Sequence, residues 1–172
     1  MTKVALDAFG GDHAPEAIVE GAALALAQHP QLSITFTGEE ERIRLELSKY
    51  TYDCSRVNII HTTQVIGCDE PPTQAIKRKR DSSLVRALEL VAQKEADCFV
   101  SAGSTGAVLA GATLIVRRLK GVKRPGLAPI LPTRDGCVLL IDCGANTDSK
   151  PQYLEQFALM GSAYMKGVLG VR

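Results

Sequence analysis

The sequence predicts an α/β protein with a doubly wound, mostly parallel, Rossmann-like sheet and an antiparallel hairpin, and three observations carry that prediction. Short apolar runs of strand length alternate with longer segments of helical period, the signature of strands joined by helical crossovers. Three of the runs leave through glycine-containing turns with short polar side chains: Val4-Ala5-Leu6-Asp7-Ala8-Phe9-Gly10-Gly11-Asp12, Cys98-Phe99-Val100-Ser101-Ala102-Gly103-Ser104-Thr105-Gly106, and Val138-Leu139-Leu140-Ile141-Asp142-Cys143-Gly144-Ala145-Asn146. Thr133-Arg134-Asp135-Gly136 lies between two apolar runs, and Asp-Gly there predicts the hairpin.

Taken in order, the first strand gives way to a helix that Pro15 can open, with Ala17, Ile18, Ala22, Leu24, Ala25 and Leu26 as its apolar face. Residues 32–37 read as the second strand, stopped by Gly38, and a charged helix follows over 39–49. Residues 57–60 form a third strand; 62–72 form a polar loop, expected to be a mobile excursion beside the site, punctuated by Gly67 and Pro71-Pro72. A short basic helix follows over 73–80, then a helix capped by Ser82 or Ser83 that carries Leu84, Val85, Leu88, Val91 and Ala92. Beyond the Cys98 strand, an Ala-rich helix starts at Thr105 and ends near Arg117-Arg118, with Gly121 and Pro125 blocking its continuation. The hairpin is expected within the main sheet, its proline-bearing first arm at an edge or a bulge. A last helix from Pro151 carries Leu154, Phe157, Ala158 and Met160 and fades through Gly167 and Gly170. A sheet of this kind ordinarily returns to a strand at that point, so the chain reads as the N-terminal half of something longer.

At 172 residues, 45% hydrophobic and 23% charged, the expectation is a single α/β domain over 1–172 with a sizeable core. Twenty basic against 19 acidic residues give a net charge of +1, which supplies no general field for nucleic acid. The five cysteines, at 54, 68, 98, 137 and 143, show neither Cys-x-x-Cys nor zinc spacing with histidine and read as reduced thiols, so a cytoplasmic location is expected. The N-terminal residues lack the pattern of a secretory leader, and no apolar run reaches the roughly 18 residues of a membrane span.

The turn after Cys98-Phe99-Val100 carries most of the functional information. Gly103 and Gly106 lack Cβ atoms, so the backbone can turn tightly and approach a ligand, and the first amides of the following helix favour an anion. Gly106 is followed by Ala107, so the Walker A pattern is missing, and Gly-x-Gly-x-x-Gly is missing too. In open α/β sheets ligands sit beyond the carboxyl ends of the strands, so the three glycine-bearing exits are expected to converge.

Asp7-Ala8-Phe9-Gly10-Gly11-Asp12-His13-Ala14-Pro15, Ser101-Ala102-Gly103-Ser104-Thr105-Gly106-Ala107 and Asp142-Cys143-Gly144-Ala145-Asn146 have the order and spacing of one known family. Ala75-Ile76-Lys77-Arg78-Lys79-Arg80-Asp81-Ser82-Ser83 and Gln156-Phe157-Ala158-Leu159-Met160-Gly161-Ser162 extend the match over nearly the whole chain. The chain resembles the phosphate acyltransferases of the PlsX type. The resemblance implies transfer of a fatty acyl group from acyl carrier protein to inorganic phosphate, yielding acyl phosphate for phospholipid synthesis. It implies no organic cofactor, a fold similar to the isocitrate and isopropylmalate dehydrogenases and phosphotransacetylases, a homodimer, and peripheral contact with the membrane. Ser104 stands where the family often has Asn, and Lys77 where Arg is usual. Two other readings are a phosphotransacetylase-like enzyme using acyl-CoA and a non-catalytic membrane-associated scaffold.

Thioester phosphorolysis needs a placed phosphate, donors for the tetrahedral oxyanion and help for the departing thiolate. Gly103, Ser104, Thr105 and Gly106 are assigned to the anion turn, with Gly10, Gly11, Lys77, Arg80, Ser82, Ser101 and Gly144 as further substrate or phosphate contacts. Asp7, His13, Asp142 and Asn146 are the candidate catalytic residues; Asp142 and Asn146 either order their loop or hold the acyl carbonyl. His13 is either a general acid for the thiol or, with Asp12, a helix cap. Asp7, Asp12, Asp142 and Asp148 as Mg²⁺ ligands are the weaker alternative, and no metal is assigned. Lys77-Arg78-Lys79-Arg80 and the run Arg117, Arg118, Lys120, Lys123, Arg124 read as solvated charge or as docking surface for an acidic carrier and anionic lipid. Cys143 has no visible base and reads as packing rather than as a nucleophile.

Overall fold

A computed structural model describes residues 1–171. The chain clusters into two compact units, Met1–Arg117 and Arg118–Arg172.

The first unit is a parallel sheet of β1 (Thr2–Asp7), β2 (Leu32–Gly38), β3 (Val57–His61) and β4 (Cys98–Val100), in the order β3-β2-β1-β4. The chain steps outward from β1 to β2 to β3 and then returns to the other side of β1. That reversal makes the β1/β4 boundary the switch point of the sheet, where two successive crossovers diverge and leave a crevice.

Helices α1 (Glu16–Gln28) and α2 (Glu40–Leu47) close the core containing Leu6, Phe36, Ile43 and Leu47. Helices α3 (Pro72–Arg78), α4 (Ser83–Ala92) and α5 (Thr105–Gly111) share a second core around Ile76, Leu84, Leu88 and Ala107. Helix α5 runs on into a π-helical turn, Ala112–Val116. Gly111 lies against this core, because a Cβ there would stand 2.5 Å from Leu88 Cδ1.

Helix α1 corrects the sequence reading of its face. Its buried residues are Val19, Ala22, Ala23 and Leu26, while Leu24 is 55% exposed. Nearly every side chain from Ala17 to Leu26 is apolar, so periodicity alone does not single out one stripe. In α4 the buried set likewise shifts to Leu84, Val85, Ala87, Leu88 and Leu90.

In the second unit the hairpin forms between β5 (Ile130–Thr133) and β6 (Gly136–Leu139), with Leu131 opposite Val138. It is a two-stranded sheet of its own rather than an addition to the parallel sheet. Pro132, opposite Cys137, lacks the amide that a second neighbour of β5 would need, which agrees with the edge position expected of that arm. Helix α6 (Pro151–Leu169) starts with Pro151 as expected but continues through Gly167. Gly170, at φ 65°, ends it in the left-handed conformation that glycine adopts without a Cβ penalty. Phe157 and Gly161 are the buried residues of α6.

Candidate functional site

The exits of β1 and β4 are joined at the switch point by buried polar contacts. Asp7, 2% exposed, accepts the Phe9 amide on Oδ1 at 3.2 Å and the Ser101 hydroxyl on Oδ2 at 2.8 Å. Ser101 Oγ in turn accepts the amide of Gly103 at 3.0 Å. A Cβ on Gly10 would lie 2.7 Å from both Asp7 Oδ2 and Ser101 Oγ and 2.8 Å from the Gly103 nitrogen. Only a glycine lets the two loops approach this closely. Gly11, at φ 100°, sits over Ala102.

Phe9 anchors this loop from below, a role that sequence reasoning missed. Its ring packs so tightly on Gly38 that a Cβ there would stand 2.3 Å from Phe9 Cδ2, and the Arg42 guanidinium lies 4.9 Å from the ring centroid. The available signal was an aromatic residue placed between Asp7 and the Gly10-Gly11 pair.

Beyond Gly103 the chain enters α5. Ser104 is its N-cap, its hydroxyl accepting the Ala107 amide at 3.4 Å. Ser104 thus retains the hydrogen-bonding function expected of that position. The amides of Ser104, Thr105 and Gly106 have no acceptor among the described residues. Adjacent free backbone donors next to a glycine turn are the chemistry that anions favour. Gly106 serves packing as well, since a Cβ there would meet Pro72 Cγ at 2.8 Å. Pro72 opens α3, so the polar loop after β3 is registered directly against the anion turn.

That loop is fixed at both ends. The Asp81 carboxylate accepts the Thr63 amide at 3.0 Å and its hydroxyl at 2.7 Å, and these bonds hold the carboxyl below its ordinary value. Lys79 donates to the Val65 carbonyl at 2.7 Å and to Glu70 Oε1 at 2.6 Å. Lys79 is therefore committed within the loop, while Lys77, Arg78 and Arg80 of the same basic run remain exposed. Ser82 is fully buried and caps α4 through the Val85 amide, which places it in the framework rather than at a ligand-facing surface.

His13 is exposed in the turn before α1, where its carbonyl accepts the Ala17 amide. Neither Asp12 nor His13 caps the helix; Pro15 occupies the cap position, without a side-chain hydrogen bond. The capping reading of these two residues is thereby corrected.

In the second unit Asp142 organises the third glycine-bearing loop. Its Oδ1 accepts the Leu127 amide at 2.7 Å, and its Oδ2 accepts the Asn146 amide at 2.8 Å and side-chain Nδ2 at 3.0 Å. Asn146 Nδ2 also reaches the Pro125 carbonyl at 2.9 Å. Partial burial raises the Asp142 pKa, but the hydrogen bonds from Asn146 and the neighbouring amides outweigh it and hold the carboxyl below its ordinary value of 3.8. Such a group stays ionised and holds a loop; it is a poor proton donor near neutrality. Gly144 adopts φ 87°, with open space where a Cβ would sit. Cys143 is exposed, and its amide donates to the Leu127 carbonyl. The basic run is exposed at Arg117, Arg118, Lys120, Lys123 and Arg124, and Gln156 ties its loop by accepting the Lys123 amide and donating to the Gly121 carbonyl, each at 2.9 Å.

Among the described residues no group of three or more His, Cys, Asp or Glu is placed to hold a metal ion, and no helix is long and apolar enough to cross a membrane.

The chain has counterparts among known proteins. A family model described as fatty acid synthesis protein matches residues 2–172. The chain belongs to that family. It is 52% identical over 169 residues to a protein of Clostridium botulinum (strain Alaska E43 / Type E3) named phosphate acyltransferase, covering 98% of this chain and 51% of the relative. A phosphate acyltransferase of Clostridium perfringens (strain ATCC 13124) is 50% identical, over 98% of this chain and 50% of that protein. The chain spans about half the length of these curated relatives. Among solved structures it is similar to the EutD phosphotransacetylase from Staphylococcus aureus, with a TM-score of 0.69, 21% identity, and coverage of 99% of this chain and 54% of that one. That likeness establishes a shared fold, with the α/β architecture expected from the alternating pattern.

Proposed function

We propose that the junction of the β1 and β4 exits positions inorganic phosphate for attack on a fatty acyl thioester carried by acyl carrier protein, yielding acyl phosphate for phospholipid synthesis. The observation that carries this reading is the set of free amides at Ser104, Thr105 and Gly106, held beside Gly10 by the Asp7–Ser101–Gly103 chain of hydrogen bonds. The names of the family's close relatives supply the reaction class.

In this reaction a phosphate oxygen attacks the thioester carbonyl carbon and a tetrahedral oxyanion forms. The C–S bond then breaks, and the proton carried by hydrogen phosphate ends on the departing thiol. Phosphate is itself a nucleophile, so placement and electrostatic stabilisation can supply most of the rate enhancement. Asp7 acts by positioning, because both its oxygens are engaged by the loops. His13 is exposed in the turn after Gly11, where an imidazole suits proton delivery to the thiolate. Within the second unit, Asp142 orders the loop that carries Gly144 and Asn146.

Lys77 and Arg80 in the first unit offer positive charge to an acidic carrier protein and to anionic lipid at the cytoplasmic face of the membrane, and the basic residues Arg118 to Arg124 of the second unit offer the same separately. The working assembly is a homodimer, with no organic cofactor and no nucleic acid. Incubation with acyl-acyl carrier protein and labelled phosphate tests the reading, with hydroxylamine trapping of the product. Label recovered in acyl phosphate supports it; turnover with acyl-CoA but not with the carrier thioester shifts the donor assignment; lipid binding without any acyl phosphate overturns it.

A further inference from the structure

An apolar trench of about 350 Å³ runs along α1 in the first unit. Leu6 and Val100 bound one end, Leu32 lies at the other, and Ala17, Gly21 and Ala25 form one wall. These three recur every four residues on one side of the helix, and at 1.5 Å per residue the wall is about 12 Å long. The upper end meets the candidate site directly, since Leu6 precedes Asp7 and Val100 precedes Ser101.

Two observations distinguish the trench from ordinary packing. A Cβ on Gly21 would meet nothing within 4 Å, so the fold itself does not require glycine there. Val100, the last residue of β4, leaves half its surface in water although it flanks this apolar channel. The smooth wall therefore keeps open an apolar space of a size that suits a small ligand.

We infer that this trench holds the hydrocarbon tail of the acyl substrate, with its thioester at the Leu6–Val100 end beside the anion turn. The inference rests on the acyl-transfer reading above and locates the acyl chain within it. The continuity of the trench with the strand exits selects an acyl chain over a protein segment. A chain threaded from the anion turn along α1 leaves its carbonyl beside Ser101 and its methylenes against alanine and valine. Each pair of methylenes buried there strengthens binding by up to about tenfold.

The test uses the fluorescent fatty acid cis-parinaric acid, displaced by saturated acids of eight, twelve and sixteen carbons. Saturable binding is expected, with displacement strengthening as the competitor lengthens. Gly21→Leu, which favours the helix and fills the trench, should weaken binding at least tenfold while leaving the circular dichroism spectrum and inorganic phosphate binding unchanged. Ala25→Leu, nearer the far end, should weaken the sixteen-carbon acid and spare the eight-carbon one. Absence of saturable binding, equal affinity in Gly21→Leu, or exclusion of the dye by a second copy of the chain overturns the assignment. Long-chain acyl phosphate formed at the unaltered rate by Gly21→Leu removes the trench but leaves acyl transfer standing. Chain-length-dependent fatty acid binding without acyl phosphate formation in the parent chain supports the trench and removes acyl transfer.

Discussion

Gly10 and Gly144 stand in loops of similar composition, yet they are glycines for different physical reasons. At Gly10 the constraint is space, because Asp7, Ser101 and Gly103 crowd the position a Cβ would take. At Gly144 the constraint is the dihedral angle, φ 87°, with nothing within 4 Å of a Cβ. The first loop is shaped by the approach of a neighbouring strand exit, whereas the second is shaped by its own backbone and by the hydrogen bonds converging on Asp142. A glycine-rich turn thus encodes a junction in one place and a self-contained loop in the other.

Alanine at these two positions separates the cases most strongly. Gly10→Ala forces a Cβ into buried polar atoms and should cost roughly 3 kcal/mol, near the upper end of overpacking penalties. Gly144→Ala carries only the left-handed penalty of about 1 kcal/mol. Denaturant titrations of both variants check this, and equal losses would break the distinction. The crowding at Gly10 should also make Ser101→Ala rescue part of the Gly10→Ala loss, because it removes one of the three colliding atoms. No comparable rescue is expected around Gly144.

A smaller effect concerns pH. Asp142 titrates below its ordinary value in the folded chain, so its contribution to stability is fully present above the unfolded pKa, near 3.8. It is lost as pH falls through the folded value. Acid titration of the second unit's stability should therefore lose that step in Asp142→Asn, which should also be less stable than the parent at neutral pH, where the ionised carboxylate contributes in full. A parent and variant with the same acid profile would remove Asp142 as the loop's ionised organiser.

The alternation of strands and helices was legible because the sequence period changes sharply from segment to segment. The turn into α5 at Thr105 was legible too, since Gly103, Ser104 and Gly106 combine freedom of the backbone with capping chemistry. The pairing of β1 with β4 was not, because sheet order depends on contacts between residues far apart in the chain; the Ser101–Asp7 bond spans 94 positions. The face of α1 escaped for a different reason, as a run of alanine, valine and leucine gives no unique direction to a helical period. The basic run around Lys77 looked uniform, but Glu70 captures Lys79 alone through a loop contact invisible to charge counting. Ser82 satisfied both a capping and a ligand reading by composition, and burial decided between them.

The most direct test of the central claim follows the backbone amides by NMR while inorganic phosphate is added to the chain. Saturable shifts are expected for Ser104, Thr105 and Gly106, with smaller shifts at Gly10 and Gly11. Shifts confined to the basic run from Arg117 to Arg124, or a loop that does not respond at saturating phosphate, would contradict the claim that the β1/β4 junction is the phosphate site.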